Sequence, residues 1–346
     1  MTTRSKQDRR RRVVRMAAIV TLIMGGSCAA EAQESFAGKT LFFLVSSDTG
    51  GGYDIYTRLL ARHMGRHIKG EPTAVVQNMP GGGGLRVAQY IYSVAEKDGT
   101  KIGNLRASNM LDSVLGIRGE EINPGKFNWL GNMASDTDVC SFWRTSGVTK
   151  FEDLFNKEVL VGASGKGAQN YMFASAINNV LGTKMKIILG YKGMGDRIIA
   201  MERGELQGNC GMNASSLTSL QGERLKSGDI VPVVQSGVKP YPALKDVPLT
   251  KSFAKTDEQR RILSVIFDQM DIARTFALPP GAPAGVVAQF RTAFMDSMKD
   301  PQLLADAEKQ NLEITPSSGE EVAKIIGDMA DISPELKKQV RAAIGN

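Results

Sequence analysis

Histidine is the scarcest reactive side chain here, with only His63 and His67 in 346 residues. They stand four apart on a predicted helix, a spacing compatible with metal ligation. No carboxylate or cysteine cluster accompanies them and no zinc motif is present, so they read as the exposed polar face of that helix, and no metal is expected. No Gly-x-Ser-x-Gly elbow occurs, which removes the usual signature of a serine hydrolase. No Gly-Lys-Ser/Thr follows a glycine turn at P-loop spacing, and Gly50-Gly51-Gly52 lacks the third spaced glycine of a dinucleotide fingerprint. Nucleotide binding is therefore disfavoured, and no cofactor is expected. Long apolar runs are missing too: the longest, 16–26, falls short of the roughly 20 residues of a membrane span.

That run belongs to an export signal. Seven Lys/Arg between Arg4 and Arg15 precede it, and Ala30-Glu31-Ala32 supplies a cleavage site, so the mature chain is expected to begin at Gln33 in the periplasm. Arg10-Arg11-Arg12 also suits a twin-arginine signal, and the export route stays open. The formal charge is +7 overall. Most of it lies in the leader, because residues 1–32 carry Asp8 and Glu31 as their only acids. No basic stripe interleaved with aromatics remains, so no nucleic-acid partner is expected. Two of the three cysteines, Cys140 and Cys210, lie beyond the leader. The reading favoured for them is two small buried residues on strands; sequence does not settle whether they pair.

The organising stretch is 41–84, an apolar strand, a Gly-rich turn (46–52), an amphipathic helix, a second strand and a second Gly-rich turn (78–84). Glycines let backbone N–H groups approach a ligand, and the positive end of a helix favours an anion. Each turn alone is a common βα connection; two at the ends of neighbouring parallel strands outline half of a small-anion site. A third strand at 101–105 ends at Arg106-Ala107-Ser108-Asn109, again a polar mouth before a helix. Three βα units imply a parallel sheet with right-handed crossovers. Ligands then sit beyond the carboxyl ends of its strands.

A second βα series starts near Asp138. Strands are expected at 139–143, 158–161, 185–189 and 206–212, with turns at 162–170, 190–196 and 213–216. A segment at 230–235 returns the chain to the first unit. Helices at 257–269, 284–298, 301–310, 320–329 and 334–343, with a last strand at 272–278, complete an α/β chain with no internal repeat.

These stretches carry a specific resemblance. The chain resembles the Bug-family extracytoplasmic solute receptors of tripartite tricarboxylate transporters. The matches are Gly50-Gly51-Gly52-Tyr53-Asp54-Ile55-Tyr56-Thr57-Arg58, Gln77-Asn78-Met79-Pro80-Gly81-Gly82-Gly83-Gly84 and the 162–170 turn. They continue with Tyr191-Lys192-Gly193, Gly204-Glu205-Leu206-Gln207 and Ala277-Leu278-Pro279-Pro280-Gly281-Ala282-Pro283, in order across 38–325. The resemblance implies a two-lobed, type II-like Venus-flytrap fold, lobe 1 being 33–137 plus 238–346 and lobe 2 being 138–237. It implies a small mono- or dicarboxylate bound between the lobes, delivery to a two-subunit membrane permease, and a monomer without catalysis. Ser47, Thr49, Gly51, Gly52, Gly82 and Ser108 would donate from lobe 1, and Ser164, Lys166, Gly167, Gln169, Gly193 and Asn213 from lobe 2. Asp48, Asp54 and Asn78 complete the candidate set.

Ser46-Ser47-Asp48-Thr49 stands where such receptors commonly carry proline. Asp48 is expected to cap the turn, and Lys166 either pairs with a ligand carboxylate or is solvated. The crossings at 134–141 and 234–239 are expected to hinge the lobes. Two other functions compete: a sensor partner of a membrane kinase binding the same ligand, and, less favoured, an exported hydrolase using Asp48 and Asp54 as paired carboxylates or one of the serines.

Overall fold

The structure is a computed structural model and describes residues 34–345; the leader reading lies outside the described residues. The chain opens with β1 (Thr40–Val45), α1 (Gly52–Met64), β2 (Thr73–Asn78), α2 (Leu85–Ser93), β3 (Lys101–Leu105) and α3 (Ala107–Val114). β1 pairs in parallel with β2 on one side and β3 on the other. It is apolar from Leu41 to Val45 because both its faces are covered there, and Leu41, Phe43, Leu44 and Val45 are buried. On α1, Tyr56, Leu59, Leu60 and Met64 recur at helical spacing and are buried. Each contributes about 1.5–3 kcal/mol when withdrawn from water.

The chain then makes β4 (Asn128–Asn132) and crosses to a second sheet. That sheet contains β5 (Asp138–Trp143), β6 (Val159–Ala163), α4 (Gln169–Leu181), β7 (Met185–Leu189), α5 (Met194–Glu202), β8 (Gly208–Asn213), α6 (Ala214–Lys226) and β9 (Ile230–Ser236). Its strand order is β7-β6-β8-β5-β9. β6 runs parallel to β7 and β8, whereas β5 is antiparallel to both β8 and β9. The segment expected to lead straight back, 230–235, is thus the edge strand of the second sheet before it is a return path.

After α7 (Asp257–Phe267), β10 (Thr275–Leu278) re-enters the first sheet antiparallel between β3 and β4. α8 (Ala284–Ser297), α9 (Pro301–Lys309), β11 (Ser317–Ser318), α10 (Gly319–Ala330) and α11 (Pro334–Ala343) follow. The first sheet reads β11-β4-β10-β3-β1-β2, so only its β3-β1-β2 half is the parallel sheet expected. β4 was not foreseen in the sequence. Helices α7 and α11 pack against α4 of the second sheet, with the rings of Phe173 and Phe267 edge to face at 4.8 Å. One buried apolar cluster consequently runs from Leu44 of the first sheet to Phe142 and Phe173 of the second.

Two expectations are settled here. Cys140 and Cys210, on adjacent antiparallel strands β5 and β8, are joined by a disulfide. The histidines are not an exposed face. His63 is buried, its Nε2 3.1 Å from Asp306 Oδ2, and His67 Nε2 lies 2.8 Å from Asp300 Oδ2. Both acids sit at or on α9, so the pair stitches α1 to that helix. A polar residue on the amphipathic boundary of α1 is covered once α9 docks, which no local pattern foretells.

Candidate binding site between the two sheets

Six helices begin at the carboxyl ends of parallel strands: α1, α2 and α3 after β1, β2 and β3, and α4, α5 and α6 after β6, β7 and β8. The second turn is shaped by its glycines. Gly81, Gly82, Gly83 and Gly84 take φ of 137°, 57°, 67° and 100°, a run that residues with a Cβ rarely adopt. A Cβ on Gly84 would meet Arg106 Cδ at 2.7 Å, and one on Gly83 would meet the Gly167 carbonyl oxygen at 2.9 Å. The second turn of the first sheet therefore touches the third turn, on the second sheet.

Arg118 fastens that contact. Its guanidinium donates to the Gly167 carbonyl (2.6 Å) and the Gly82 carbonyl (3.4 Å), and it pairs with buried Asp112 on α3. Burial pushes the Asp112 carboxyl up to about 6, although Arg118 pulls it down. A second link lies at the crossing between the sheets. Asp136, between β4 and β5, accepts from Arg274 Nη2 (2.5 Å), from the Ser215 hydroxyl (2.5 Å) and from the Ser215 amide (3.3 Å). Arg274 belongs to the segment entering β10, is fully buried, and lies 4.7 Å from the centre of the Tyr53 ring. Burial opposes its charge, but Asp136 and the tyrosines outweigh that and raise it above its ordinary value. Beside it Thr137 Oγ1 donates to the Lys239 carbonyl at 2.9 Å, so the outgoing and returning chains run side by side.

Between these links the expected residues sort into groups. Asp54 is buried and holds the first turn together. It accepts from the Gly50 amide (2.8 Å), Arg58 Nε (2.9 Å) and Asn78 Nδ2 (2.8 Å). Burial raises its carboxyl, but those donors outweigh it and hold it below the ordinary value. Asn78 also donates to the Ser47 carbonyl at 2.9 Å and accepts from Arg58. The capping expected of Asp48 is thus done by Asp54. Asp48 itself is exposed, and α1 has no side-chain N-cap, because Gly51 holds that position. Thr49 is exposed and donates weakly to Asn78 (3.4 Å), while Ser47 is half-buried and donates to the Asp48 carbonyl (3.2 Å).

Gly52 faces the other lobe: a Cβ there would meet Ser216 Oγ at 3.0 Å and Arg274 Nη2 at 3.1 Å. Gly51 precedes it, and Ser108 is buried at the start of α3. On the second sheet Ser164 Oγ accepts from Asn170 Nδ2 (3.2 Å) and Arg197 Nη1 (3.3 Å). Gln169 Nε2 and Asn213 Nδ2 converge on Asp138, at 2.5 and 2.8 Å. Gly193 is the half-buried N-cap position of α5. Lys166 is exposed at the edge.

Three groups in this region escaped the sequence reading. Asp138 is buried, and burial pushes its carboxyl up to about 7 although its two amide donors and Arg274 pull it down. Arg106 lies over the Tyr53 ring, 4.4 Å from its centre. Arg197 is 5% exposed, and burial holds its guanidinium down to about 10. Arg106 had been visible as part of a polar mouth; Arg197, four residues after Gly193, carried no more signal than any helical arginine.

No protein-family model and no curated protein matches the sequence. Solved structures do. BugD, a periplasmic binding protein, superposes with a TM-score of 0.68 at 17% identity, over 88% of this chain and 97% of that one. Rpa4515 of R. palustris, solved with adipate, gives 0.67 at 17% identity, over 88% and 97%. A TctC solute-binding protein from Polaromonas gives 0.63 at 17% identity, over 89% and 100%. At such identities the likeness is one of fold, and the chain has the two-lobed α/β fold of these solute-binding proteins.

Proposed function

We propose that this chain is an extracytoplasmic receptor of the tripartite tricarboxylate type, which captures a small carboxylate between its lobes and delivers it to a two-subunit membrane permease. The observation carrying this reading is the meeting of βα turns from two sheets, joined by Arg118 across Gly82 and Gly167. A ligand enclosed by turns of both lobes stabilises the closed form by its greater affinity for that form. Adipate in Rpa4515, and malate in the MatC protein of Rhodopseudomonas palustris, supply the ligand class. In this reading the protein is periplasmic and monomeric, and it binds without catalysis. Both histidines are engaged with Asp300 and Asp306 against α9, which speaks against a serine–histidine hydrolase. The lobes divide near 137 and 237, with α7 and α11 docked on the second lobe, and the paired crossings serve as the hinge.

Thermal unfolding of residues 33–346 against a panel of carboxylates, amino acids and aromatic acids tests the reading. A ligand at 100 times its dissociation constant adds about 2.7 kcal/mol, a shift of roughly 5–10 °C. No shift with any member, after unfolding and refolding to strip carried-over ligand, contradicts it.

A further inference from the structure

The second sheet carries a polar row inside an apolar layer. Ser141 on β5 faces Asn209 on β8 in register, and both are fully buried. Phe142 and Gly208, the next pair, share the opposite face, since a Cβ on Gly208 would meet the Phe142 ring. Phe142 belongs to the core cluster that holds Phe173 of α4, so Ser141 and Asn209 point the other way, toward α5 and α6. β6 joins β8 at Val161 and Gly208, which puts Gly162 beside Asn209. Gly162 turns to the same layer: a Cβ there would meet Leu206 Cδ1 at 2.5 Å and the stem of Arg197, on α5, at 3.2 Å. The layer is otherwise apolar, with Val139, Ile198, Met212 and Leu217 buried together.

The polar atoms of this row lack partners. Ser141 Oγ, Asn209 Oδ1, Asn209 Nδ2 and Arg197 Nε are buried and make no hydrogen bond among the described residues. Leaving such groups unpaired is costly, and folded chains satisfy nearly all of them with protein or with ordered water. The mixture of atoms decides the occupant. Arg197 Nε and Asn209 Nδ2 only donate, Asn209 Oδ1 only accepts, and the Ser141 hydroxyl does either. An anion would leave Asn209 Oδ1 unpaired, and a cation would be repelled by Arg197. Water both donates and accepts.

We propose that the second lobe holds a buried water site among Ser141, Asn209 and Arg197, beneath α5. Its water accepts from Arg197 Nε or Asn209 Nδ2 and donates to Asn209 Oδ1 or Ser141 Oγ; buried waters typically make about three such bonds. The site explains why polar residues occupy the middle of an otherwise apolar layer. All its walls belong to the second lobe, so it stands apart from the receptor reading and from the way the lobes close.

A high-resolution crystal structure of residues 33–346, grown with sodium bromide, tests the proposal. A density peak is expected about 2.7–3.2 Å from at least two of Ser141 Oγ, Asn209 Oδ1, Asn209 Nδ2 and Arg197 Nε, without anomalous signal from bromine. Ser141 and Asn209 bonded directly to each other, with no peak beside them, overturns it. So does a bromine signal at the peak, which would make this an anion site. Asn209→Leu removes the acceptor and one donor while nearly keeping the volume, and its structure is expected to lose the peak; a peak that persists unchanged contradicts the assignment. If that variant fails to fold, as judged by circular dichroism, the wild-type structure alone decides the matter.

Discussion

The cleft and the outer helical layer treat the same kinds of group in opposite ways. Among the described residues, none of the six helices that start at the cleft has a side-chain N-cap; the positions are held by Gly51, Gly84, Arg106, Ala168, Gly193 and Asn213. Of the five helices after β9, four are capped, by Thr256, Asp300, Ser318 and Ser333, and α8 starts from Pro283 without a cap. Carboxylates divide less cleanly, since Asp54 in the first turn is held low by its donors although burial opposes it, and Asp268 after α7 is raised by burial. Asp112 and Asp138 at the cleft are pushed up by burial. Asp300 is held down to about 2, its burial outweighed by His67, Arg66 and the first amides of α9. The outer layer completes its hydrogen bonds and contributes stability. The cleft leaves donors and positive charge available, as a site for an anion requires.

The largest expected effect lies where the two regimes meet. Arg274→Met strands Asp136 and is expected to cost about 3–5 kcal/mol in denaturant unfolding, whereas the double variant Arg274→Met/Asp136→Leu recovers most of it. A single-variant loss under about 1 kcal/mol means the crossing is not held by this pair. Next comes Arg118→Ala, which removes one charged hydrogen bond across the lobes, to the Gly167 carbonyl, and a longer one within the first lobe, to the Gly82 carbonyl; a charged hydrogen bond contributes about 1.5–3 kcal/mol. Weaker ligand affinity, with the unliganded unfolding midpoint moving much less, is the expected pattern. Equal losses in both quantities would make Arg118 a plain stability residue. Ser318→Ala removes an outer cap at about 1 kcal/mol, and carboxylate affinity should not change; a loss of affinity would break the division between the two regions.

The smallest effect separates the regions by pH. A carboxyl raised in the fold contributes its stability below its unfolded value near 3.8 and loses it as pH rises through about 6 for Asp112 and about 7 for Asp138. Asp300, held low, contributes above that value and loses its share as pH falls toward about 2. Unfolding midpoints across pH 3–8 should show Asp138→Asn flattening the decline on the alkaline side. The Asp300→Asn penalty should instead be full at neutral pH and shrink below pH 4. Parallel curves for both variants contradict the assignment.

What could be read from the sequence follows from where the physics is local. The β1–turn–α1–β2–turn unit was legible because an apolar run, glycines and helical spacing act within a few residues. So was the second series, from the turn at 162–170 onward. β10 was legible as a strand but not as an antiparallel one, since its place between β3 and β4 is set by a return from more than 140 residues away. β4 was missed because Asn128-Trp129-Leu130-Gly131-Asn132 is short and shows no alternation. Of the site, the glycine turns were legible and the charges were not. Arg197, Arg274 and Asp138 are buried charges and Arg106 is half-buried, and pattern reading places charges outside. Contacts between residues far apart in sequence bury them, such as Asn213 on Asp138 and Asp136 on Arg274, just as the docking of α9 covers His63.

The most direct test of the account is a crystal structure of residues 33–346 grown with the carboxylate that gives the largest thermal shift. The account predicts the ligand between the lobes, enclosed by the glycine turns that Arg118 joins at Gly82 and Gly167. A ligand lodged elsewhere, for instance in the outer groove lined by Asn128, Val287, Arg291 and Glu320, with the cleft closed and empty, would contradict it.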